Sequence, residues 1–250
     1  MERLDKILAG SGLGTRKEVK KLVKYGVVKV DGKVATSSDM KVDPQKSEIT
    51  VNGEGLVYKE FIYLMLNKPD GYVSATEDNV YPTVTELVPE EYRHYNVFPV
   101  GRLDVDTEGL LILTNDGKFA HNVTSPKKLI AKKYFVIPQR PITEEDKKAF
   151  ASGMNLGDFT AMPATLEKCE DGCYVTIFEG KFHQVKRMFE KTDNEVKYLK
   201  RVQIGKLLLD ENLQIGEIKE LTEGEIELLW IKITDLRQNL ILKFIRWKTQ

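Results

Sequence analysis

The chain has 250 residues, of which 41% are hydrophobic and 30% charged, so it can bury a sizeable core and we expect one large and one small domain. Its formal net charge is zero, which excludes a global positive field, and any basic surface must come from uneven placement of charges. The charged N-terminus and the short apolar runs exclude a signal peptide and a membrane span. We therefore expect a cytoplasmic protein without membrane contact.

The first 40 residues predict two helices followed by a β-hairpin. Leu4, Ile7 and Leu8 recur at helical spacing, and Thr15 with Glu18 forms a capping box at the start of a second helix. Asp31-Gly32 between two valine-rich segments is a strong hairpin signal.

Basic residues outnumber acidic ones in this segment, and several lie opposite the apolar stripe of the second helix. They could bind phosphates, although lysine-rich helix faces often contact only water, and charge alone leaves both interpretations open. The order of elements resembles the S4 domain, a small RNA-binding module, over the first 45 to 60 residues. The resemblance implies RNA contacts by the following residues: Arg3, Lys6, Arg16, Lys17, Lys20, Lys21 and Lys24.

A second domain is predicted to begin near residue 58 and to mix strands and helices. Strands are expected at 61–66, 110–114, 174–178 and 196–204, and helices at 143–150, at 183–191 and after a Thr222/Glu225 capping box. The irregular order indicates an α+β fold with a mixed, mainly antiparallel sheet flanked by helices. The predicted domains are 1–58, 59–232 and a basic amphipathic tail at 233–250, for which we expect a packed terminal helix rather than a membrane-surface or RNA contact.

Several common types of site find no support in the sequence. Cys169 and Cys173 flank an Asp171-Gly172 turn, so we expect reduced thiols on a hairpin rather than a disulfide or zinc site. The three histidines have no metal-spaced partners, so no metal site is predicted. Neither a phosphate-binding glycine loop nor a serine nucleophile elbow occurs.

Asp104 lies in a segment with two further carboxylates, Asp106 and Glu108. Paired carboxylates are compatible with a base-releasing glycosidase, and equally with solvated loop charges. Spacing alone does not decide between these interpretations.

Four motifs in order resemble the ribosomal RNA pseudouridine synthases that carry an N-terminal S4 domain. They are Asn67-Lys68-Pro69-Asp70-Gly71-Tyr72, Gly101-Arg102-Leu103-Asp104-Val105-Asp106-Thr107-Glu108-Gly109-Leu110-Leu111, Lys132-Lys133-Tyr134 and Gly180-Lys181-Phe182-His183-Gln184-Val185-Lys186-Arg187-Met188. The last motif is similar to the form found in members that act on small-subunit 16S RNA. Lys181 departs from the family, in which arginine is commoner at this position.

The resemblance implies that a flipped-out uridine is isomerised to pseudouridine without a metal or cofactor. Asp104 would attack the uracil ring or the ribose, Lys186 would pair with Asp104, and Tyr134 would stack on the base. It also implies RNA contacts by a further set of residues: Asn67, Lys68, Arg102, Lys181, His183, Gln184 and Arg187.

The expected partner is ribosomal RNA, with a position-516 type target in 16S RNA, and we expect a monomer. A 23S RNA target and a non-catalytic RNA-binding assembly factor remain the alternatives.

Overall fold

The computed structural model describes residues 1–230, and the predicted tail at 233–250 lies outside the described residues. The chain divides into two compact units. The first contains Met1–Ile62 and Pro89–Val97, and the second contains Tyr63–Val88 and the residues from Phe98 onward. The sequence predicts one boundary near residue 58 and carries no signal that a second, later segment joins the first unit.

The first unit combines short helices with short strands. In chain order its elements are β1 (Glu2–Arg3), α1 (Leu4–Gly10), α2 (Arg16–Lys24), β2 (Val28–Val30), β3 (Lys33–Val34), β4 (Lys41–Val42), β5 (Ile49–Val51), β6 (Glu54–Gly55) and α3 (Glu90–Arg93). Strands β3, β2, β5 and β6 form a four-stranded antiparallel sheet, and β1 pairs with β4.

The capping box and the hairpin turn of the first unit form where the sequence predicts them. The Thr15 side chain accepts a hydrogen bond from the Glu18 amide, and the Glu18 carboxylate accepts one from the Thr15 amide, which completes the capping box of α2. Asp31 and Gly32 both adopt positive φ in the turn between β2 and β3, as a tight hairpin requires. The core is formed by the apolar faces of α1 and α2 and the inward residues of the sheet.

The second unit is built around a nine-stranded sheet. In chain order its elements are β7 (Tyr63–Lys68), a 3₁₀ turn (Val84–Leu87), β8 (Phe98–Pro99), β9 (Glu108–Thr114), α4 (Gly117–Thr124), a 3₁₀ turn (Pro126–Lys128), β10 (Lys132–Pro138), α5 (Glu144–Ser152), β11 (Met154–Asn155), β12 (Thr160–Ala161), β13 (Thr165–Cys169), β14 (Gly172–Ile177), α6 (Gln184–Glu190), β15 (Val196–Ile204), β16 (Leu207–Leu208), β17 (Ile218–Glu220) and α7 (Glu223–Leu228).

The sheet has the strand order β13-β14-β10-β15-β9-β7-β17, with β16 added to β15 and β8 added to β9. Every pair is antiparallel except β15 with β9, which run parallel. The mixed, mainly antiparallel α+β architecture is thereby confirmed. β11 and β12 form a separate two-stranded ribbon.

Helices pack against the sheet and against each other. Buried residues of β7, β9 and α4 form one core cluster, against which part of α7 packs. α5 and α6 meet through Phe150 and Phe189, whose ring centroids are 5.2 Å apart. Within residues 1–230, no helix is both long and apolar enough to cross a membrane.

Candidate active site

A cavity of about 120 Å³ opens beside the centre of the sheet of the second unit. It lies between the loop that joins β8 to β9, the strands β10 and β15, and the start of α6. A cavity of roughly 150 Å³ is known to hold benzene, so this space suits one six-membered ring. Seven predicted site residues line it: Arg102, Asp104, Tyr134, Lys181, His183, Gln184 and Lys186.

The loop that carries Asp104 is held from two sides. The Ser74 hydroxyl donates to the Leu103 carbonyl and accepts from the Leu103 amide, both at 3.0 Å. On the other side, the ammonium of Lys68 donates to the carbonyls of Val105 at 3.0 Å and Thr107 at 2.9 Å. Because these bonds fix the residues on both sides of Asp104, its carboxylate has a defined direction into the cavity.

Lys186 on α6 lies between two carboxylates of this loop. Its Nζ is 3.4 Å from Oδ2 of Asp104 and 2.5 Å from Oδ1 of Asp106. The Lys186 side chain is 19% exposed and that of Asp104 is 27% exposed, which reduces solvent screening of the pair. His183 approaches the other oxygen of Asp104, with Nε2 3.7 Å from Oδ1.

The shared lysine changes the acidity of Asp106. Burial acts to raise the pKa of Asp106, but the hydrogen bond and positive charge of Lys186 outweigh it and hold the pKa below its usual value. Asp106 therefore remains a carboxylate at neutral pH, and Lys186 is divided between two negative groups.

An aromatic ring and two free cations complete the rim and wall of the cavity. Tyr134 on β10 is 7% exposed, and its hydroxyl makes no hydrogen bond within residues 1–230. Arg102 and Lys181 are exposed, and their side chains have no ionic partner in that part of the chain. The cavity thus presents an aromatic face, a carboxylate and unpaired cations, a set suited to a nucleotide.

Comparison with known families agrees with this arrangement. The model of the RNA pseudouridylate synthase family matches residues 62–191, and the model of the S4 domain matches residues 2–49. The chain belongs to the RNA pseudouridylate synthase family. It is a pseudouridine synthase with an N-terminal S4 domain, as the sequence motifs predict.

The synthase is similar to relatives over nearly its whole length. It is 50% identical to an uncharacterized RNA pseudouridine synthase of Bacillus subtilis, over 91% of this chain and 98% of that protein. It is 42% identical to the ribosomal small subunit pseudouridine synthase A of Pasteurella multocida, over 90% of this chain and 97% of the relative. A solved pseudouridylate synthase superposes with a TM-score of 0.64 at 39% identity, covering 92% of this chain and all of that one.

Three of the predicted RNA contacts need correction because their side chains are buried. Lys68 is 0% exposed, and its third hydrogen bond goes to the Pro69 carbonyl. Asn67 donates to the Leu213 carbonyl, and Gln184 donates to Glu179 and accepts from the Lys181 amide. In the synthase these groups support the loop and α6 through hydrogen bonds within the protein, and Gln184 also lines the cavity.

Arg187 does not line the cavity, and its guanidinium is engaged elsewhere. It forms an ion pair with Asp158 and donates to the Leu156 carbonyl, which ties α6 to the loop between β11 and β12. The neighbouring Phe182 is 71% exposed, and its ring stacks on His183 with centroids 3.8 Å apart. The aromatic pair lies at the start of α6, where His183 lines the cavity.

Two buried cations of the cavity, Lys132 and Arg201, were not assigned a role by the sequence analysis. Lys132 belongs to the Lys132-Lys133-Tyr134 motif, but only the tyrosine was singled out there. Arg201 lies in β15, which the sequence predicted as an extended segment without functional residues. Their side chains are 9% and 3% exposed, respectively, which is rare for lysine and arginine without a full set of partners.

The basic residues of the S4 domain fall into two groups. Arg3 donates twice to the buried Asp5, and Lys6 pairs with Glu2 and Glu60. The cations of α2 are exposed and have no hydrogen bond or ion pair through their side chains within residues 1–230; they are Arg16, Lys17, Lys20, Lys21 and Lys24. Among the residues expected to contact RNA, those of α2 therefore have charges available to phosphates.

Proposed function

We propose that the synthase isomerises one uridine of small-subunit 16S ribosomal RNA, at a site of the position-516 type. Several relatives that are about 40% identical carry the name ribosomal small subunit pseudouridine synthase A. The chain covers nearly all of their length, so its RNA-binding and catalytic parts both have counterparts in them.

The single observation that carries the mechanism is the position of Asp104 in the cavity. Its carboxylate lies beside the Lys186 ammonium, at 3.4 Å, on a loop held by Ser74 and Lys68. A nucleophilic carboxylate must be charged and partly dehydrated at the same time, and burial alone would favour its protonation. The Lys186 ammonium and the held loop fix the direction of the Asp104 carboxylate, so Asp104 can act as the nucleophile.

The target base must leave its stack in the RNA to reach Asp104. Tyr134 provides an aromatic face on which the extracted uracil can stack, and its unpartnered hydroxyl can assist proton transfer from the ring. Arg102 at the rim can fill the space that the base leaves or contact a phosphate.

RNA affinity would come mainly from the S4 domain through phosphate contacts by α2. Because such contacts are independent of base identity, the target would be selected by RNA shape together with the cavity. We further propose that the enzyme acts as a monomer in the cytoplasm, where ribosomal RNA is assembled.

Substitution of Asp104 tests the mechanism. Asp104→Asn should lower the rate of pseudouridine formation by more than about 1,000-fold, while RNA affinity stays within a few-fold. The matched control is Asp70→Asn, which alters an exposed carboxylate that does not line the cavity and should leave the rate unchanged. Retained turnover in Asp104→Asn would refute the assignment.

Mapping of pseudouridines in ribosomal RNA from cells with and without the gene tests the target. Loss of one modification in 16S RNA supports the proposal, and loss of one in 23S RNA assigns the enzyme to the large subunit. An unchanged map together with retained RNA binding would favour an assembly factor. Release of free uracil by the purified protein would indicate a glycosidase.

A further inference from the structure

The bottom of the cavity is formed in part by two buried cations on neighbouring strands. Lys132 lies on β10 and Arg201 on β15, and both side chains line the cavity. Strand register places Arg201 opposite Tyr134, and Lys132 lies two residues from Tyr134 on the same face of β10. We call Lys132 and Arg201 the cationic floor.

Most hydrogen-bond donors of the cationic floor are unused. Arg201 donates from Nε to the Leu110 carbonyl at 2.8 Å, and its buried Nη2 has no partner within residues 1–230. Lys132 donates once, to the Ile130 carbonyl at 3.2 Å. Buried donors without partners are rare in folded proteins because each loses its hydrogen bonds to water.

The opposing charge near the cationic floor is already engaged. Glu179 is buried and acts on Lys132 electrostatically, but its Oε1 accepts from the Met162 amide and from Gln184 Nε2. Two buried cations thus face one buried carboxylate. Together Lys132 and Arg201, which line the cavity, carry one positive charge in excess of Glu179 and have hydrogen-bond donors without partners within residues 1–230. A ligand with electron-rich oxygen atoms would accept these hydrogen bonds and balance the charge.

We propose that Lys132 and Arg201 bind the carbonyl oxygens of the uracil ring and stabilise the negative charge that the ring acquires during isomerisation. This inference rests on the proposed function and assigns it two further substrate-binding residues. Uracil fits the floor because its two ring carbonyls are acceptors and can face the donors of Lys132 and Arg201.

The chemistry creates this charge whichever atom Asp104 attacks. If the carboxylate adds to C6 of the ring, the electron pair of the C5–C6 double bond moves toward the C4 carbonyl oxygen. If it adds to C1′ of the ribose, the C1′–N1 bond breaks and its electron pair remains on the ring and its carbonyls. In the first route the C1′–N1 bond then breaks and C5 of the rotated ring bonds to C1′, after which the bond between Asp104 and C6 breaks and the C5–C6 double bond is restored. In the second route C5 attacks C1′ and displaces the Asp104 carboxylate from it. In both routes Asp104 is released, C5 loses its proton and N1 gains one, so the reaction is balanced without a further reactant.

Burial makes the floor effective in this role. Fixed donors in a site with little water stabilise developing charge more strongly than solvent does, because they need no reorganisation. Burial, aided by the charge of Arg201, lowers the pKa of Lys132 to about 8, so Lys132 is still protonated at neutral pH. Its ammonium can therefore serve as a donor under physiological conditions.

The decisive variant is Lys132→Met, which keeps the length of the side chain and removes its charge. We expect a 100- to 1,000-fold lower single-turnover rate, as for removal of one charge-stabilising donor, with RNA affinity within a few-fold. Because the buried ammonium makes a single hydrogen bond within residues 1–230, the melting temperature should be unchanged or higher. The matched control is Lys133→Met, on the opposite face of the same strand, where the lysine contacts Glu167 and Tyr174; its rate should change less than twofold.

A structural role for Lys132 predicts the opposite pattern. A clear fall in melting temperature, unfolding of Lys132→Met, or a rate within threefold of the wild type would each overturn the proposal. Arg201→Lys is the second variant, since it keeps the charge and removes donors, and it should slow turnover at least tenfold at unchanged RNA affinity. A rate within threefold of the wild type in this folded variant would show that Arg201 does not bind the uracil ring.

The same assays separate this inference from the proposed function. If the wild-type protein forms no pseudouridine in 16S or 23S RNA, or if Asp104→Asn is active, the proposed function itself fails. If the wild type is active, Asp104→Asn is inactive and Lys132→Met equals the wild type, only the cationic floor is refuted.

Discussion

Replacement of Lys68 by methionine should destabilise the catalytic domain and misplace Asp104. The Lys68 ammonium is fully buried and donates to three backbone carbonyls, those of Pro69, Val105 and Thr107, at 2.9 to 3.0 Å. Methionine fills a similar volume but cannot donate. The Lys68→Met variant therefore leaves three acceptors without this donor while changing packing little.

The expected loss of stability follows from two opposing contributions. The Val105 carbonyl keeps a hydrogen bond from the Gly71 amide, so two carbonyls, those of Pro69 and Thr107, lose their donor. A buried acceptor without a donor costs about 1–3 kcal/mol, so two carbonyls give roughly 2–6 kcal/mol. Against this, burial lowers the pKa of Lys68 from 10.5 to about 8, and removal of such a charge recovers roughly 3 kcal/mol at about 1.4 kcal/mol per pKa unit. We expect a net loss of about 1 kcal/mol at pH 7.

The pH dependence has a definite sign. Between the folded pKa of Lys68, about 8, and its ordinary value near 10.5, the unfolded chain binds more protons than the folded one. The stability contributed by Lys68 therefore rises with pH in this window, and it is lowest below pH 8. The difference between wild type and Lys68→Met should grow from pH 7 to pH 10.

Urea denaturation followed by tryptophan fluorescence can measure both effects. Trp230 belongs to the second unit and packs against Phe119 with ring centroids 5.5 Å apart, so its fluorescence reports on that unit. Lys148→Met on α5 is the matched control because Lys148 is exposed, and it should change stability by less than about 0.5 kcal/mol. A loss below about 1 kcal/mol for Lys68→Met at pH 10, or a difference between the two proteins that shrinks with rising pH, would contradict the proposed role of Lys68.

Two further predictions concern catalysis and RNA binding. Asp106→Asn removes the shorter contact of Lys186, so that Lys186 can pair with Asp104 alone. Single-turnover rates should therefore fall no more than about tenfold. Complete inactivation would show that Asp106 itself takes part in the chemistry. Reversing the charge of three α2 residues, Lys17, Lys20 and Lys21, should weaken RNA binding. Because three phosphate contacts are lost, the slope of log K against log salt should fall by about 3. Filter-binding assays from low to high salt measure this slope, and an unchanged slope would exclude α2 from the RNA-binding surface.

Local signals were the most predictable part of the fold. The strand expected at 196–204 has these bounds in the structure, and the Thr222/Glu225 capping box begins α7 as expected. Such signals depend on neighbouring residues and the periodicity of apolar side chains, which can be read from the sequence. The return of residues 89–97 to the first unit has no such signal, because it depends on packing between segments distant in sequence.

The role of a site residue could be predicted where the residue belongs to a family motif. It could not be predicted where the role depends on burial. Asp104, Tyr134 and Lys186 follow from the resemblance, and the structure brings all three to one cavity. Lys68 was expected to contact RNA because it belongs to a motif of the resemblance, whereas here its buried ammonium supports a loop. Arg201 gave no signal at all, since only the pairing of β15 with β9 and β10 places it beneath the cavity.

The close approach of β9 to β15 depends on one glycine. Gly109 has a φ of +99°, and a Cβ at this position would lie 2.3 Å from the Arg201 carbonyl oxygen. Any larger residue would force β9 away from β15 at the only parallel pairing in the sheet of residues 1–230. The Asp104 loop leads directly into β9 and Arg201 lies on β15, so this close approach contributes to the spacing between the proposed nucleophile and the cationic floor. The synthase therefore needs glycine here for the geometry of its cavity as well as for the backbone conformation.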